Sequence, residues 1–157
     1  MSLPSGFWFF SSCWSLEATS RIQPGTVRPY AWVAREIGRP RAVRAVGTAL
    51  ARNPVPLVIP CHRVVRSDGD TGRYALGDGE TDKVTLLHGE GVDVAEVRRR
   101  VTERCFWSEE GDTTFCLPYC FAAHPLPDRR FIRFESVREA LSRGLEPCST
   151  CHPLLAA

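Results

Sequence analysis

The sequence predicts an α+β fold: a mainly helical, winged helix-turn-helix-like domain followed by a small module built around four cysteines. Three observations favour it. Two apolar repeats of helical spacing meet at a tight Gly/Pro turn, a short β-branched run lies between prolines, and two close cysteine pairs stand late in the sequence. We divide the chain into a lead-in, a first domain, a linker and a cysteine module, at residues 1–20, 21–92, 93–104 and 105–157.

The lead-in shows no clear hydrophobic periodicity, so the sequence specifies its structure only weakly. A turn at Pro24-Gly25 follows, and then apolar residues recur at positions i, i+3, i+4 and i+7. This spacing predicts a helix over residues 26–37 that is broken by Gly38 and Pro40. Its buried face is formed by Tyr30, Val33, Ala34 and Ile37.

A second helix is predicted over residues 41–52, where apolar and polar side chains fall on opposite sides. Val43, Val46 and Leu50 form the apolar side. The other side carries Arg41, Arg44, Thr48 and Arg52. Two short helices with an arginine-rich second member are typical of a DNA-binding helix-turn-helix. A plain two-helix corner is the common alternative.

Charge is unevenly distributed along the chain. Between Arg21 and Arg66 there are nine arginines and one acid, Glu36, so this segment carries a net charge of +8. Such a basic segment suits a polyanion such as nucleic acid. A solvated basic face is the alternative interpretation, since Lys83 is the only lysine of an arginine-rich chain.

Turn residues and periodicity predict the secondary structure of the rest of the first domain and of the linker. Asn53-Pro54 ends the second helix, and the β-branched run to Cys61 is expected to be extended. Residues 67–79 hold four glycines and predict a flexible loop. Residues 81–88 predict a helix ending at Gly89, and residues 93–104 a charged helical linker.

Cys61 is followed directly by His62 and preceded by a proline. A thiol becomes a strong nucleophile as the thiolate, and a neighbouring base favours that form. Cys61 and His62 are therefore candidates for nucleophilic catalysis. A small buried hydrophobic residue is the alternative for a cysteine at the end of an apolar run.

The cysteine module holds two pairs with chelating spacing, separated by a helical stretch at residues 136–143. The pairs are Cys116 with Cys120 and Cys148 with Cys151, and four thiolates match a tetrahedral zinc site. A disulfide pair and a reduced, metal-free cluster are the alternatives. His124 and His152 are further possible ligands, although four cysteines already complete the shell.

No run approaches the roughly 18 apolar residues of a membrane span, and no basic residue precedes the apolar start of the chain. We therefore expect a cytoplasmic protein, without a signal peptide, whose seven cysteines are kept reduced.

Five strings in the first domain carry a resemblance to a known family. They are Gly25-Thr26-Val27-Arg28-Pro29-Tyr30, Arg44-Ala45-Val46-Gly47, Asn53-Pro54-Val55-Pro56-Leu57-Val58-Ile59-Pro60-Cys61-His62-Arg63-Val64-Val65, Gly72-Arg73-Tyr74 and Leu86-Leu87-His88-Gly89-Glu90-Gly91. Over residues 21–92 the chain resembles the O-6-alkylguanine-DNA alkyltransferase family.

This resemblance implies a reaction in which each molecule acts once. Glu90 would orient His62, which through a water would deprotonate Cys61 for attack on the alkyl group of guanine O6. Tyr30 would donate a proton toward the guanine ring. Asn53 would hold the turn between helix and cysteine.

The expected partner is double-stranded DNA containing alkylated guanine, bound by a monomer. The resemblance implies that the second helix enters the minor groove and that Arg44 fills the stack left by a flipped base. From their positions and charge, we expect the DNA-contacting residues to be Arg41, Arg44, Thr48, Arg52 and Arg63.

The cysteine module resembles the zinc module of the bacterial adaptive-response methyl-phosphotriester repair protein. The matching strings are Phe115-Cys116-Leu117-Pro118-Tyr119-Cys120 and Glu139-Ala140-Leu141-x2-Gly144-x2-Pro147-Cys148-x2-Cys151. This implies that Cys116 accepts a methyl group from a phosphotriester, with a structural zinc site as the rival.

The chain departs from both families at several places. The module has Phe121-Ala122-Ala123 and Glu146 where its family has arginines, and Arg129, Arg130 and Arg133 are the basic residues that would compensate. In the first domain, Ala75 and Leu76 alter the alkyl pocket, and the lead-in is too short for an N-terminal subdomain. A non-catalytic sensor of alkylated DNA or transcriptional regulator is therefore the alternative function, and a poorly folding fragment is the third.

Overall fold

Three helices build the first part of the molecule in a computed structural model that describes residues 6–72, 74, 79–103, 106–117, 120, 130–149, 151 and 153–155. Helix α1 (Gly6–Ser20) packs on α2 (Tyr30–Glu36) and α3 (Val43–Ala51). Between them lies the helical core, which comprises Ala18, Ile22, Trp32, Val33, Ala34, Val46, Leu50, Cys61 and Val64. This core fixes α3 against the segment that carries Cys61.

A short parallel strand pair joins the helices to the Cys61 segment. Strand β1 (Arg28–Pro29) pairs with β2 (Val64–Val65), and a 3-10 turn at Cys61–Arg63 leads into β2. Helix α4 (Glu80–Gly89) follows the glycine-containing loop, and α5 (Val94–Thr102) begins after Asp93. The Asp93 carboxylate accepts hydrogen bonds from the Ala95 and Glu96 backbone N–H groups, which fixes the start of α5.

Among its described residues, the cysteine module contains two short strand pairs and one α-helix. Strand β3 (Phe106–Glu109) runs antiparallel to β5 (Phe131–Phe134), and β4 (Thr114–Phe115) runs parallel to β6 (Glu146–Pro147). Helix α6 (Val137–Ser142) is capped by Ser136, and a 3-10 turn spans Pro153–Leu155. Phe115, Phe134 and Ala140 form a small core of their own.

A second large core lies between the two parts of the chain. This shared core contains residues from both: Val27, Val65, Leu87, Val92, Val97, Cys116, Leu117 and Cys151. The cysteine module is therefore packed against the first domain and does not hang from a free linker.

The mixed fold class is confirmed, and so are the helices predicted at residues 81–88, 93–104 and 136–143, apart from their outermost residues. Residue 104 lies outside the described residues. The helix predicted over residues 41–52 is shorter at both ends, at Val43–Ala51.

Three local features differ from what the sequence indicates. Residues 6–20 of the lead-in form helix α1, and the helix predicted from residue 26 begins at Tyr30. It begins late because a residue before proline avoids helical backbone, so Arg28-Pro29 is extended and pairs with β2.

The third difference is the run to Cys61, which is not a strand. Leu57 has a φ of 76°, and Pro56 bridges back to Ile59, so the run forms a tight loop. Three prolines between positions 54 and 60 remove the donors that a strand ladder needs.

Among the described residues, no helix combines the length and apolar character needed to cross a membrane.

Candidate active site and metal centre

Asn53 fixes the position of the Cys61 thiol. It lies just past the end of α3, and its side-chain amide donates to the Ile59 carbonyl at 2.8 Å and to Cys61 Sγ at 3.2 Å. Its Oδ1 accepts from the Val55 N–H at 3.1 Å. Asn53 therefore closes the loop and holds the Cys61 sulfur in place.

His62 is buried and bound on one side only. Its Nε2 lies 2.9 Å from Glu90 Oε1, while its Nδ1 has no hydrogen-bond partner within the described part of the chain. A carboxylate accepts hydrogen bonds, so we assign the proton to Nε2. Nδ1 is then left with a lone pair and can act as a base.

Glu90 is held ionised by three neighbours. Arg63 donates from Nε at 2.9 Å to Oε2 and from Nη2 at 2.6 Å to Oε1, and the Gly25 N–H donates at 3.3 Å. Burial opposes the charge, but the hydrogen bonds from Arg63, His62 and Gly25 outweigh it and lower the pKa of Glu90 to about 2. The carboxylate therefore stays negative at every pH at which the protein would work.

Arg63, predicted as a DNA contact, has its guanidinium engaged by partners within the protein. Besides Glu90, its guanidinium binds the Ile22 carbonyl at 2.7 Å, and only 13% of its side chain is exposed. The buried carboxylate needs a counter-charge, and Arg63 is the arginine that supplies it.

Two tyrosines flank the thiol. Tyr30, at the start of α2, has its pKa raised by burial and then by the negative charge of Cys61. The same two causes raise the pKa of Tyr74 to about 12. The Tyr74 ring also meets the His62 ring edge-on, with centroids 6.4 Å apart. Both hydroxyls therefore remain protonated and can donate.

A cavity of about 980 Å³ opens over Cys61. Tyr30 and Tyr74 line it, together with Arg44, Thr48 and Arg52 from α3 and its C-terminal end. Arg41 is exposed in the turn before α3 and is not among the residues of the cavity wall. The Thr48 hydroxyl donates to the Arg44 carbonyl at 3.1 Å, inside its own helix.

Sequence reasoning gave no role to Tyr74 or to Lys83. Lys83 is 1% exposed, and its Nζ donates to the carbonyls of Val64 and Thr71 at 2.5 and 2.6 Å. It thereby joins α4 to β2 and to the loop, 5.8 Å from the centre of the Tyr30 ring. Each residue had a signal in the sequence: Tyr74 lies in the string Gly72-Arg73-Tyr74 that resembles the family, and Lys83 is the only lysine of the chain. Ala75 and Leu76, predicted to alter the pocket, lie outside the described residues.

The four predicted ligand cysteines form one cluster. The Sγ atoms of Cys116, Cys120, Cys148 and Cys151 all lie within 4.8 Å of one another. Cys116 follows β4 and Cys148 follows β6, so the parallel strand pair brings the two halves together. His124 and His152 lie outside the described residues.

The donor set fits a soft divalent metal such as zinc. None of the cysteines in the described part of the chain forms a disulfide, and Cys151 Sγ accepts a hydrogen bond from the Leu117 N–H at 3.4 Å. Four sulfurs this close cannot all be thiolates without a cation, because like charges disfavour one another's ionisation. A metal ion removes that conflict.

A scan of known families matches residues 9–92 to the DNA-binding domain of 6-O-methylguanine DNA methyltransferase. The methylated-DNA–protein-cysteine methyltransferase of Rattus norvegicus is 49% identical over 75 residues, which cover 48% of this chain and 35% of the relative. That of Methanosarcina barkeri is 49% identical over 74 residues, covering 47% of this chain and 46% of the relative. The chain thus spans between about a third and a half of the length of these relatives.

Two solved structures are similar to part of this chain. The structure of Mycobacterium tuberculosis OGT in complex with DNA shares 38% identity, with a TM-score of 0.48, over 50% of this chain and 47% of that one. The structure of S. pombe Atl1 with DNA containing O6-carboxymethylguanine shares 28% identity, with a TM-score of 0.49, over 59% of this chain and 82% of that one.

Proposed function

This chain belongs to the 6-O-methylguanine DNA methyltransferase family through its DNA-binding domain, and from that premise we propose that it repairs alkylated guanine by moving the alkyl group to Cys61. The observation that carries the proposal is the chain of contacts from Asn53 to Cys61 and from His62 to Glu90 and Arg63, at the base of a cavity walled by α3.

The proposed reaction needs one displacement. His62 Nδ1 takes the proton of the Cys61 thiol through a water, and Glu90 stabilises the resulting imidazolium. The sulfur attacks the methyl carbon, the carbon–O6 bond breaks, and its electron pair passes to guanine. Tyr30, whose raised pKa keeps its hydroxyl protonated, then donates a proton to the guanine ring. The thioether is stable to water, so each molecule acts once.

We propose that duplex DNA binds along α3. Arg44 and Arg52 lie at the rim of the cavity and would contact phosphates, while Arg41 extends the basic face beside them. The target atom is stacked inside the duplex, so the base must be flipped out, at a cost of a few kcal/mol. Arg44 is placed to fill the vacated stack. The monomeric state and the cytoplasmic location expected from the sequence are part of this proposal.

We also propose that Cys116, Cys120, Cys148 and Cys151 hold one zinc ion, and we retain residues 105–157 as the module around it. Zinc bound there would keep the four thiolates together. Cys116 is only 4% exposed, and Arg133 pairs with Glu103 at 3.2 Å. Both observations favour a structural role over methyl acceptance from a phosphotriester. Arg129 and residues 121–123 lie outside the described residues.

Intact-mass analysis after incubation with duplex DNA containing O6-methylguanine tests the proposal. One added methyl group on the peptide that contains Cys61 is expected, and none in Cys61→Ser. The exposed thiol of Cys13 supplies the matched control, because Cys13→Ser should react like the wild type. A folded wild type that gains no methyl group would overturn the proposal.

The sensor alternative has a distinct signature. A sensor would bind methylated duplex with the same affinity in wild type and Cys61→Ala, with no transfer by either. The same assay on DNA with methylated phosphates asks whether Cys116 accepts a group, and we expect no adduct there.

A further inference from the structure

The four-cysteine cluster is part of the packing that supports the catalytic carboxylate. Cys116 and Cys151 are buried members of the shared core, and Cys120 and Cys148 pack against it. The first domain contributes Val27, Val65 and Leu87 to the same core. The sulfurs thus pack against the first domain in a core that does not include Cys61, which belongs to the helical core.

Glu90 is bracketed by two residues of this shared core. Leu87 is fully buried three positions before it, and Val92 follows two positions after it. The Val92 N–H donates to the Leu87 carbonyl at 2.9 Å, and the Glu90 N–H donates to the same carbonyl at 3.1 Å. The backbone that carries the carboxylate is therefore clamped at both sides into the core that the cysteines complete.

The other partners of Glu90 rest on the same core. Gly25, whose N–H binds the carboxylate, lies two residues before Val27. Arg63 lies two residues before Val65, whose neighbour Val64 pairs with Arg28 across β1 and β2. The Glu90 carboxylate thus receives hydrogen bonds from two segments that are anchored beside the cysteine cluster.

We infer that metal binding by the four cysteines positions Glu90, so that a site remote from the cavity controls the geometry of His62 and Cys61. Without a cation nothing ties the four sulfurs together, and the shared core loses the wall that they form. The end of α4 and the Gly25 turn then lose their support. The structural part of this inference stands alone, and its effect on alkyl transfer rests on the function proposed above.

Hydrogen exchange on the full reduced chain tests the structural part, with Zn²⁺ bound and after removal of Zn²⁺ by a chelator. Peptides covering residues 24–28 and 86–92 should lose protection by about tenfold or more on metal removal, within the usual range of coupling between sites. Loss that extends into α3 supports the inference as well. Loss confined to residues 106–151 would overturn it.

Coupling must also run in the reverse direction, which gives a second test. Leu87→Ala removes a buried leucine from the shared core without touching a cysteine. Competition with a chromophoric chelator should then show zinc binding weakened by about fivefold or more. Leu50→Ala is the matched control, because Leu50 is an equally buried helical leucine of the helical core. Equal zinc affinity in wild type and Leu87→Ala, or equal weakening in both variants, would overturn the inference.

These readouts separate failure of the inference from failure of the proposed function. Hydrogen exchange and zinc affinity do not depend on whether Cys61 accepts a methyl group. If the exchange pattern appears but Cys61 stays unmodified, the proposed function falls and the structural coupling stands. If Cys61 is methylated at the same rate with and without metal, the coupling falls and the proposed function stands.

Discussion

Cys61 and the four clustered cysteines are thiols of one chain with opposite surroundings. Cys61 receives a hydrogen bond from an amide, lies beside tyrosine hydroxyls and opens to a cavity. The sulfurs of the cluster face one another inside a core. The difference teaches that the neighbours of a thiol decide which role suits it. A polar donor and an open cavity suit the proposed nucleophile, whereas three other sulfurs and burial suit the proposed ligand set.

The largest effect is expected at Cys61, where a substitution should reduce alkyl transfer strongly but change stability little. Cys61→Ser should lower alkyl transfer by about a thousandfold or more, because a hydroxyl is a far weaker nucleophile than a thiolate. The free energy of unfolding should change by only about 1 kcal/mol, since the side chains are similar in size. Single-turnover kinetics and urea unfolding measure the two quantities. A large loss of stability would make Cys61 a structural residue.

The opposite pattern is expected at the cluster. Cys148→Ser should reduce zinc binding below one ion per chain and lower the free energy of unfolding by about 3 kcal/mol or more, because metal binding contributes to folding. Cys13→Ser should stay within about 0.5 kcal/mol of the wild type. Elemental analysis and thermal unfolding test both. Full zinc occupancy in Cys148→Ser would remove this residue from the ligand set.

Glu90 contacts His62, the proposed base, and its backbone lies in the core shared with the four clustered cysteines. Replacing Glu90 therefore tests the base while the Cys61 thiol stays in place. Glu90→Gln should slow transfer by about a hundredfold, since a neutral amide orients His62 but no longer stabilises the imidazolium. Glu96→Gln on α5 is the control, because Glu96 pairs with Arg99 and Arg100 away from the cavity. Rates are compared after circular dichroism has established that both variants are folded. Equal rates for the two variants would contradict the assigned role.

We expect DNA to bind the surface around Cys61 and not the cysteine module. Arg44→Ala should weaken binding to methylated duplex by about tenfold and reduce its salt dependence, because one phosphate or stack contact is lost. Arg143→Ala, at the end of α6, should leave binding unchanged. Fluorescence anisotropy at several salt concentrations gives both values. Equal weakening by the two changes would extend the DNA-binding surface over the cysteine module.

The smallest effect concerns acid stability. The pKa of Glu90 is lowered from 4.5 to about 2 in the folded protein. Its contribution to folding is therefore fully present above about pH 4.5 and is lost as the pH falls towards 2. The difference in free energy of unfolding between wild type and Glu90→Gln should shrink over this range. Because both proteins lose metal in acid, the subtraction isolates the carboxylate. A constant difference would contradict the lowered pKa.

Local strings in the sequence singled out candidate residues that the structure brings close together. Cys61 and His62 were candidates because they are adjacent reactive residue types, and Glu90 was implied by the resemblance of its string to a known family. In the structure, His62 and Glu90 are 2.9 Å apart. Helix α1 was missed because its buried face has no apolar stripe: Ser15, Ala18 and Thr19 on that face are small or polar side chains. The partnership of Arg63 with Glu90 joins residues 27 positions apart, which no local pattern records. The shared core was missed for the same reason.

Asn53 has a mechanical consequence. Asn53 lies just past the end of α3, the helix proposed to meet the duplex, and its side chain holds the Cys61 sulfur, so the helix and the sulfur would move together. The nine residues of α3 span about 13 Å, and a tilt of about 10° moves the far end by about 2 Å. A displacement of about 1 Å can slow a reaction about a hundredfold. The tilt of α3 in the DNA groove would thus set the rate of alkyl transfer to Cys61. In a duplex whose groove has an unusual width, the transfer would be slow.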